Sequence, residues 1–104
     1  MIKHIALFNL KDEAAGRTKE DNRRQILSNL ERLRREIPVN KRVEAGQQIA
    51  SQPAPWAVDM AVLAEFDTIE DYNAYIEHPV HKEAAAFAAS VSNHVEGITY
   101  ESLV

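Results

Sequence analysis

The chain has 104 residues, a formal net charge of −4 and no cysteine. Such a length is most simply one domain, residues 1–104, that buries a modest core without staples. The lack of thiols excludes disulfides, thiolate metal sites and a cysteine nucleophile, and the interspersed acidic balance argues against a nucleic-acid partner.

Residues 2–10 set Ile2, His4, Ala6, Phe8 and Leu10 against Lys3, Ile5, Leu7 and Asn9. Both sets are largely apolar, which predicts a central strand covered on both faces. The run is too short and too mixed for a signal-peptide core or a membrane span, so a soluble cytoplasmic protein with no membrane partner is expected. Lys11 to Arg17, with Gly16, reads as a polar loop. Thr18 caps the helix that follows, and Glu20 and Asp21 suit its positive end. Ile26, Leu27, Leu30, Leu33 and Ile37 form its apolar stripe, and Pro38 ends it. The arginines Arg23, Arg24, Arg32, Arg34 and Arg35 are interrupted by Glu31 and Glu36, the pattern of a solvated face rather than a phosphate-binding patch.

Val39 to Ala50 predicts a second strand, irregular near Gly46, and residues 51–56, with Pro53, Pro55 and Trp56, a loop. Val58 to Phe66 predicts a third strand with apolar side chains on both faces. Thr68 opens a helix with Ile69, Tyr72 and Ile76 on one stripe. Pro79 breaks that helix and pre-sets the first turn of an alanine-rich piece carrying Ala84, Phe87 and Val91. His94 falls in a polar, solvent-exposed turn, and Ile98, Tyr100 and Leu103 mark a last strand. The order β-α-β-β-α-β, with its second helix split, predicts an α+β, ferredoxin-like subunit. Its helices cover one side of the sheet, leaving Ile5, Leu7, Ala61 and Leu63 too apolar for water. A homodimer packed sheet against sheet, forming a dimeric α/β-barrel, is the simplest closed solution.

Chemistry concentrates in residues 66–81, which hold Tyr72, Tyr75, His78 and His81 around Pro79. His4 shares a strand face with Phe8, so both can reach a pocket beneath the helices. Phe8, Tyr72 and His78 are the expected ligand-pocket residues. The architectural reading stands beside this one: His4 as a satisfied core group, His78 as a helix joint, and His81 bonded to backbone. A metal site is not expected, because Pro79 disrupts the continuous helix face that a ligand pair at His78 and His81 would need. Asp59 and Glu65 lie about 20 Å apart along one strand, too far for a carboxylate dyad.

The opening Met-Ile-Lys-His-Ile-Ala-Leu-Phe, the Glu-Phe-Asp-Thr before a helix and the Tyr-x-x-His-Pro-x-His element ending at His81 resemble the stress-responsive A/B barrel (Dabb) family across essentially the whole chain. The resemblance implies a dimeric α/β-barrel of ferredoxin-like subunits. Many members have no assigned reaction; one plant branch contains polyketide cyclases working by intramolecular aldol condensation. Carried over by motif, the resemblance implies His81 as general base, Tyr75 as support for the substrate oxygen, and His4 in the same pocket.

Elementary chemistry is compatible with those roles. Removing a proton beside a carbonyl needs a base poised near neutrality, and the enolate oxygen then needs a donor. No metal or organic cofactor is required. One expectation is therefore proton-transfer or aldol-type chemistry on a small apolar or carbonyl ligand. The alternative is a non-catalytic ligand-binding or stress-associated structural dimer. A cofactor-free monooxygenase is a further alternative, by fold analogy alone.

Overall fold

A computed structural model describes residues 1–50 and 57–104; the loop expected at residues 51–56 lies outside the described residues. The elements run β1 (Ile2–Leu10), β2 (Glu13–Ala14), β3 (Arg17–Thr18), α1 (Lys19–Glu36), β4 (Arg42–Gln47), β5 (Met60–Phe66), α2 (Ile69–Glu77), α3 (Pro79–Ser90) and β6 (Ser92–Glu101). The main sheet is four-stranded in the order β4-β5-β1-β6, and every neighbouring pair is antiparallel. This is the ferredoxin-like α+β arrangement, with the second helix divided at His78–Pro79.

The helices cover one face of the sheet. Met60, Val62, Ala64 and Phe66 of β5 are buried beneath them, with partly covered Ala61, Leu63 and Glu65 between. The core has two parts. One gathers Phe8, Leu10, Ile26, Met60, Val62, Ala88 and Val91; the other gathers Leu33, Ile37, Ala64, Phe66, Tyr75 and Val80. Thr18 caps α1 by accepting the Asp21 N–H, and Ile26, Leu33 and Ile37 of the expected stripe are buried. Leu27, also placed on that stripe, is 40% exposed, because one step of 100° turns it away from the sheet.

Several local features differ from the sequence reading. Lys11 to Arg17 is not merely a loop: β2 and β3 pair as a small hairpin. Ala15 and Gly16 both take positive φ, 56° and 71°, as a two-residue hairpin turn requires. Asn22, fully buried on α1, ties that hairpin down by donating to the Ala14 carbonyl at 3.0 Å. Strand β4 covers only Arg42–Gln47, and β5 starts at Met60 instead of Val58. His94 is exposed as expected, yet it lies within β6 opposite Asn9, because that strand begins at Ser92.

The opposite face of the sheet carries Ile5 facing Leu63 and Ile98, and Leu7 facing Ala61. Ile98 is 59% exposed, so an apolar strip remains that no helix covers among the described residues.

Candidate functional site

The site begins at the helix break. Thr68 caps α2 by accepting the Asp71 N–H. At the other end, His78 leaves helical geometry with φ −65° and ψ 134°, and so ends α2 and begins α3. Its Nδ1 accepts the Val80 N–H at 3.1 Å, and Pro79 follows at the first helical position, where no N–H is needed. The joint brings Tyr75, in the last turn of α2, beside His81, in the first turn of α3. Their ring centroids are 4.6 Å apart. Phe66 backs Tyr75 from the sheet, with an edge-on centroid distance of 4.8 Å.

Both rings line a cavity of about 310 Å³ between α1, α3 and the sheet. The α1 wall includes Ile26, Leu30 and Leu33, and the sheet contributes His4, Ala6, Phe8 and Val62. On α3 the wall is made by Ala84, Ala85, Ala88 and Ala89, whose short side chains leave this space open. His4, Tyr75, His81 and Phe8 are thus brought together. Tyr72 and His78 are not on the wall. Tyr72 packs its ring 5.6 Å from both His4 and Phe66, and His78 is occupied as the helix cap.

Burial sets the charge state of these groups. It pushes the His81 pKa below the ordinary imidazole value; the His4 charge lowers it further, and the Ile76 backbone acts in the opposite direction. Burial also lowers the His4 pKa. Tyr75 is 2% exposed, and burial, with a smaller contribution from Tyr72, raises its phenol pKa. Near neutral pH the pocket thus holds uncharged imidazoles and a protonated phenol. His81 Nδ1 is buried with no hydrogen-bond partner among the described residues.

The structure adds three residues that sequence reasoning missed. Thr99 on β6 meets His4 Nδ1 through its hydroxyl at 2.8 Å, fixing the imidazole across 95 positions of sequence. Asn29 on α1 lines the cavity, with its Oδ1 accepting from Gln25 at 2.9 Å. Gly97 faces Ala6 on β1, and a Cβ there would lie 3.5 Å from His4 Cε1. The four-residue spacing of Gln25 and Asn29 was a usable signal. The pairing of β1 with β6 that aligns Thr99 and Gly97 with His4 has no local signature.

Other polar clusters have structural roles. Asp59 accepts the Leu10 N–H at 2.6 Å and meets Lys19 at 3.4 Å, joining β1, α1 and the start of β5. Glu65 instead pairs with Lys3 at 3.7 Å. Two arginines of α1 are held by acids: Arg32 by Glu36 at 2.7 Å and Arg34 by Glu31 at 2.6 Å. Among the described residues no group of three or more His, Asp or Glu side chains is placed to hold a metal ion. Among the same residues no helix is long and apolar enough to cross a membrane.

Comparison with known proteins places this geometry in context. The model of the stress responsive A/B barrel domain family matches residues 2–101. A dimeric ferredoxin-like protein of unknown function from Thermobifida fusca is 29% identical, with a TM-score of 0.79 over 97% of this chain and 90% of that one. A dimeric protein of unknown function and ferredoxin-like fold from Bacteroides fragilis is 26% identical, with a TM-score of 0.74 over 97% of this chain and 95% of that one. A protein of Arabidopsis thaliana is 21% identical, with a TM-score of 0.84 over 100% of this chain and 97% of that one, and shows the shared fold. No curated protein matches the chain. The chain belongs to the stress responsive A/B barrel domain family.

Proposed function

We propose that this member of the stress responsive A/B barrel family binds a small, mostly apolar carbonyl compound in its subunit cavity and moves a proton on the carbon beside the carbonyl. The observation that carries this reading is the Tyr75–His81 pair, 4.6 Å apart on the wall of an apolar cavity of about 310 Å³. Nε2 of His81 takes the α-proton, and the carbonyl becomes an enolate whose oxygen accepts a hydrogen bond from the Tyr75 hydroxyl. His81 then returns the proton to carbon, or the enolate carbon attacks a second carbonyl in an aldol step and His81 protonates the new alkoxide. Exclusion of water strengthens both interactions. His4, held by Thr99, faces the same cavity and disfavours a second positive charge beside it. No step uses a metal or an organic cofactor.

Residues 1–104 act as one domain in this account, and two copies associate through the uncovered sheet face around Ile5, Leu63 and Ile98. The dimeric relatives from Thermobifida fusca and Bacteroides fragilis support that assembly. The lack of cysteine suits a reducing compartment such as the cytoplasm.

A non-catalytic binding protein would use the same cavity without turning its ligand over. The distinguishing experiment is exchange of the α-hydrogens of a small ketone in deuterated water, followed by NMR with the wild type and His81→Ala. Exchange that depends on His81 supports the catalytic reading; binding without exchange supports the non-catalytic one.

A further inference from the structure

We infer that the cavity selects an uncharged ligand and rejects the carboxylate of the same chain length. This deepens the proposed function and rests on it, by naming the charge class of the compound that the cavity accepts.

The wall carries no lysine or arginine among the described residues. Its polar side chains, His4, Asn29, Tyr75 and His81, bear no formal charge when the imidazoles are neutral. Glu96 reaches the wall from β6, but it lies opposite Leu7, on the register of the uncovered sheet face, and its carboxylate is 2.9 Å from His94. Its acid group therefore points away, and its backbone forms the wall. Arg32 of α1 is engaged outside the cavity by Glu36 at 2.7 Å and Glu83 at 3.4 Å, and Arg23 pairs with Glu20.

Two of the three N–H groups at the start of α3 are already engaged within the joint. The Val80 N–H is taken by His78 Nδ1, and the Lys82 N–H by the His78 carbonyl at 3.0 Å. A carboxylate entering this space would shed its water and meet no counter-charge. A ketone or aldehyde needs only one or two donors for its oxygen, and the Tyr75 hydroxyl supplies one. The alkyl remainder then lies against the alanines of α3 and the aliphatic side chains of α1, where its burial is favourable.

The test is calorimetric titration of the intact chain at pH 8 with 2-octanone and with octanoate, eight carbons each. The expected result is ketone binding at least about tenfold tighter than octanoate binding, a gap of about 1.4 kcal/mol. Ala89, exposed yet part of the wall, provides a second readout. Ala89→Lys should raise octanoate affinity relative to ketone affinity several-fold. Equal or tighter octanoate binding by the wild type overturns charge selection, as does failure of both compounds to bind. α-Hydrogen exchange in the same samples separates the two ideas. Selective ketone binding without exchange removes the proposed catalysis and leaves charge selection standing. Ketone exchange with equal affinities does the reverse.

Discussion

The imidazole of His81 and the phenol of Tyr75 stand 4.6 Å apart, tilted by 50°, although they belong to different helices. Their relation is set by the two residues between those helices. His78 closes α2 and caps α3, and Pro79 supplies a first-turn residue with no N–H to satisfy. The pair is therefore held by the backbone of the joint, independently of any bound ligand.

Removing the cap should loosen that joint. His78→Ala is expected to lower stability by about 1 kcal/mol, the usual cost of losing a side-chain cap, and His78→Asp should recover most of it. Urea unfolding monitored by circular dichroism measures both. An unchanged midpoint for His78→Ala would show that the bond from the Val80 N–H contributes nothing.

His81 should be costly to keep. Its Nδ1 is buried without a partner among the described residues, so replacing the ring with an apolar one of similar shape removes a desolvated polar atom while preserving contact with Tyr75. His81→Phe is expected to be more stable than wild type by about 1 kcal/mol. An architectural histidine would behave in the opposite way, and a clear fall in melting temperature would favour that reading.

Acidification should destabilise the fold through the two pocket imidazoles. Both His4 and His81 have folded-state pKa values below the ordinary value, so below pH about 6.5 the unfolded chain binds protons that the folded chain resists. The stabilising contribution is complete above that pH and is lost as the pH falls through the folded values. Melting temperatures should decline from pH 7 to pH 5, and the double variant His4→Gln with His81→Phe should flatten the decline. A wild-type profile as flat as that of the variant would contradict the assigned directions.

The architecture was readable because its signals are local. Caps at Thr18 and Thr68, the stop at Pro38 and the break at Pro79 each sit beside the element they define, and all four strands of the main sheet were located. The β2–β3 hairpin was missed because its turn pairs Gly16 with Ala15, a residue that rarely takes positive φ. Tyr75 and His81 could be named together because they are six positions apart on two sides of one proline. Thr99 and Gly97 could not, since only the pairing of the first and last strands puts them beside His4. Tyr72 and His78 were drawn into the expected pocket by proximity in sequence, whereas helix rotation and capping place them off its wall.

Association through the uncovered sheet face should depend on its centre. Leu63 faces Ile5 on that face, so Leu63→Lys would bury a charge in an apolar interface. Analytical ultracentrifugation at micromolar concentration should give twice the chain mass for wild type and the single-chain mass for the variant. A wild-type monomer would remove the sheet-to-sheet assembly.

The most direct test of the central claim is the rate of α-hydrogen exchange into 2-octanone in deuterated water, catalysed by wild type, His81→Ala and Tyr75→Phe. General-base catalysis by His81 predicts a loss of about 100-fold or more for His81→Ala. Tyr75→Phe should lose about 100-fold while keeping its fold, since only a hydroxyl is removed from a buried ring. The wild-type rate should rise with pH and level off above the lowered pKa of His81. Equal rates for wild type and His81→Ala, with both proteins folded and binding the ketone, would contradict the account.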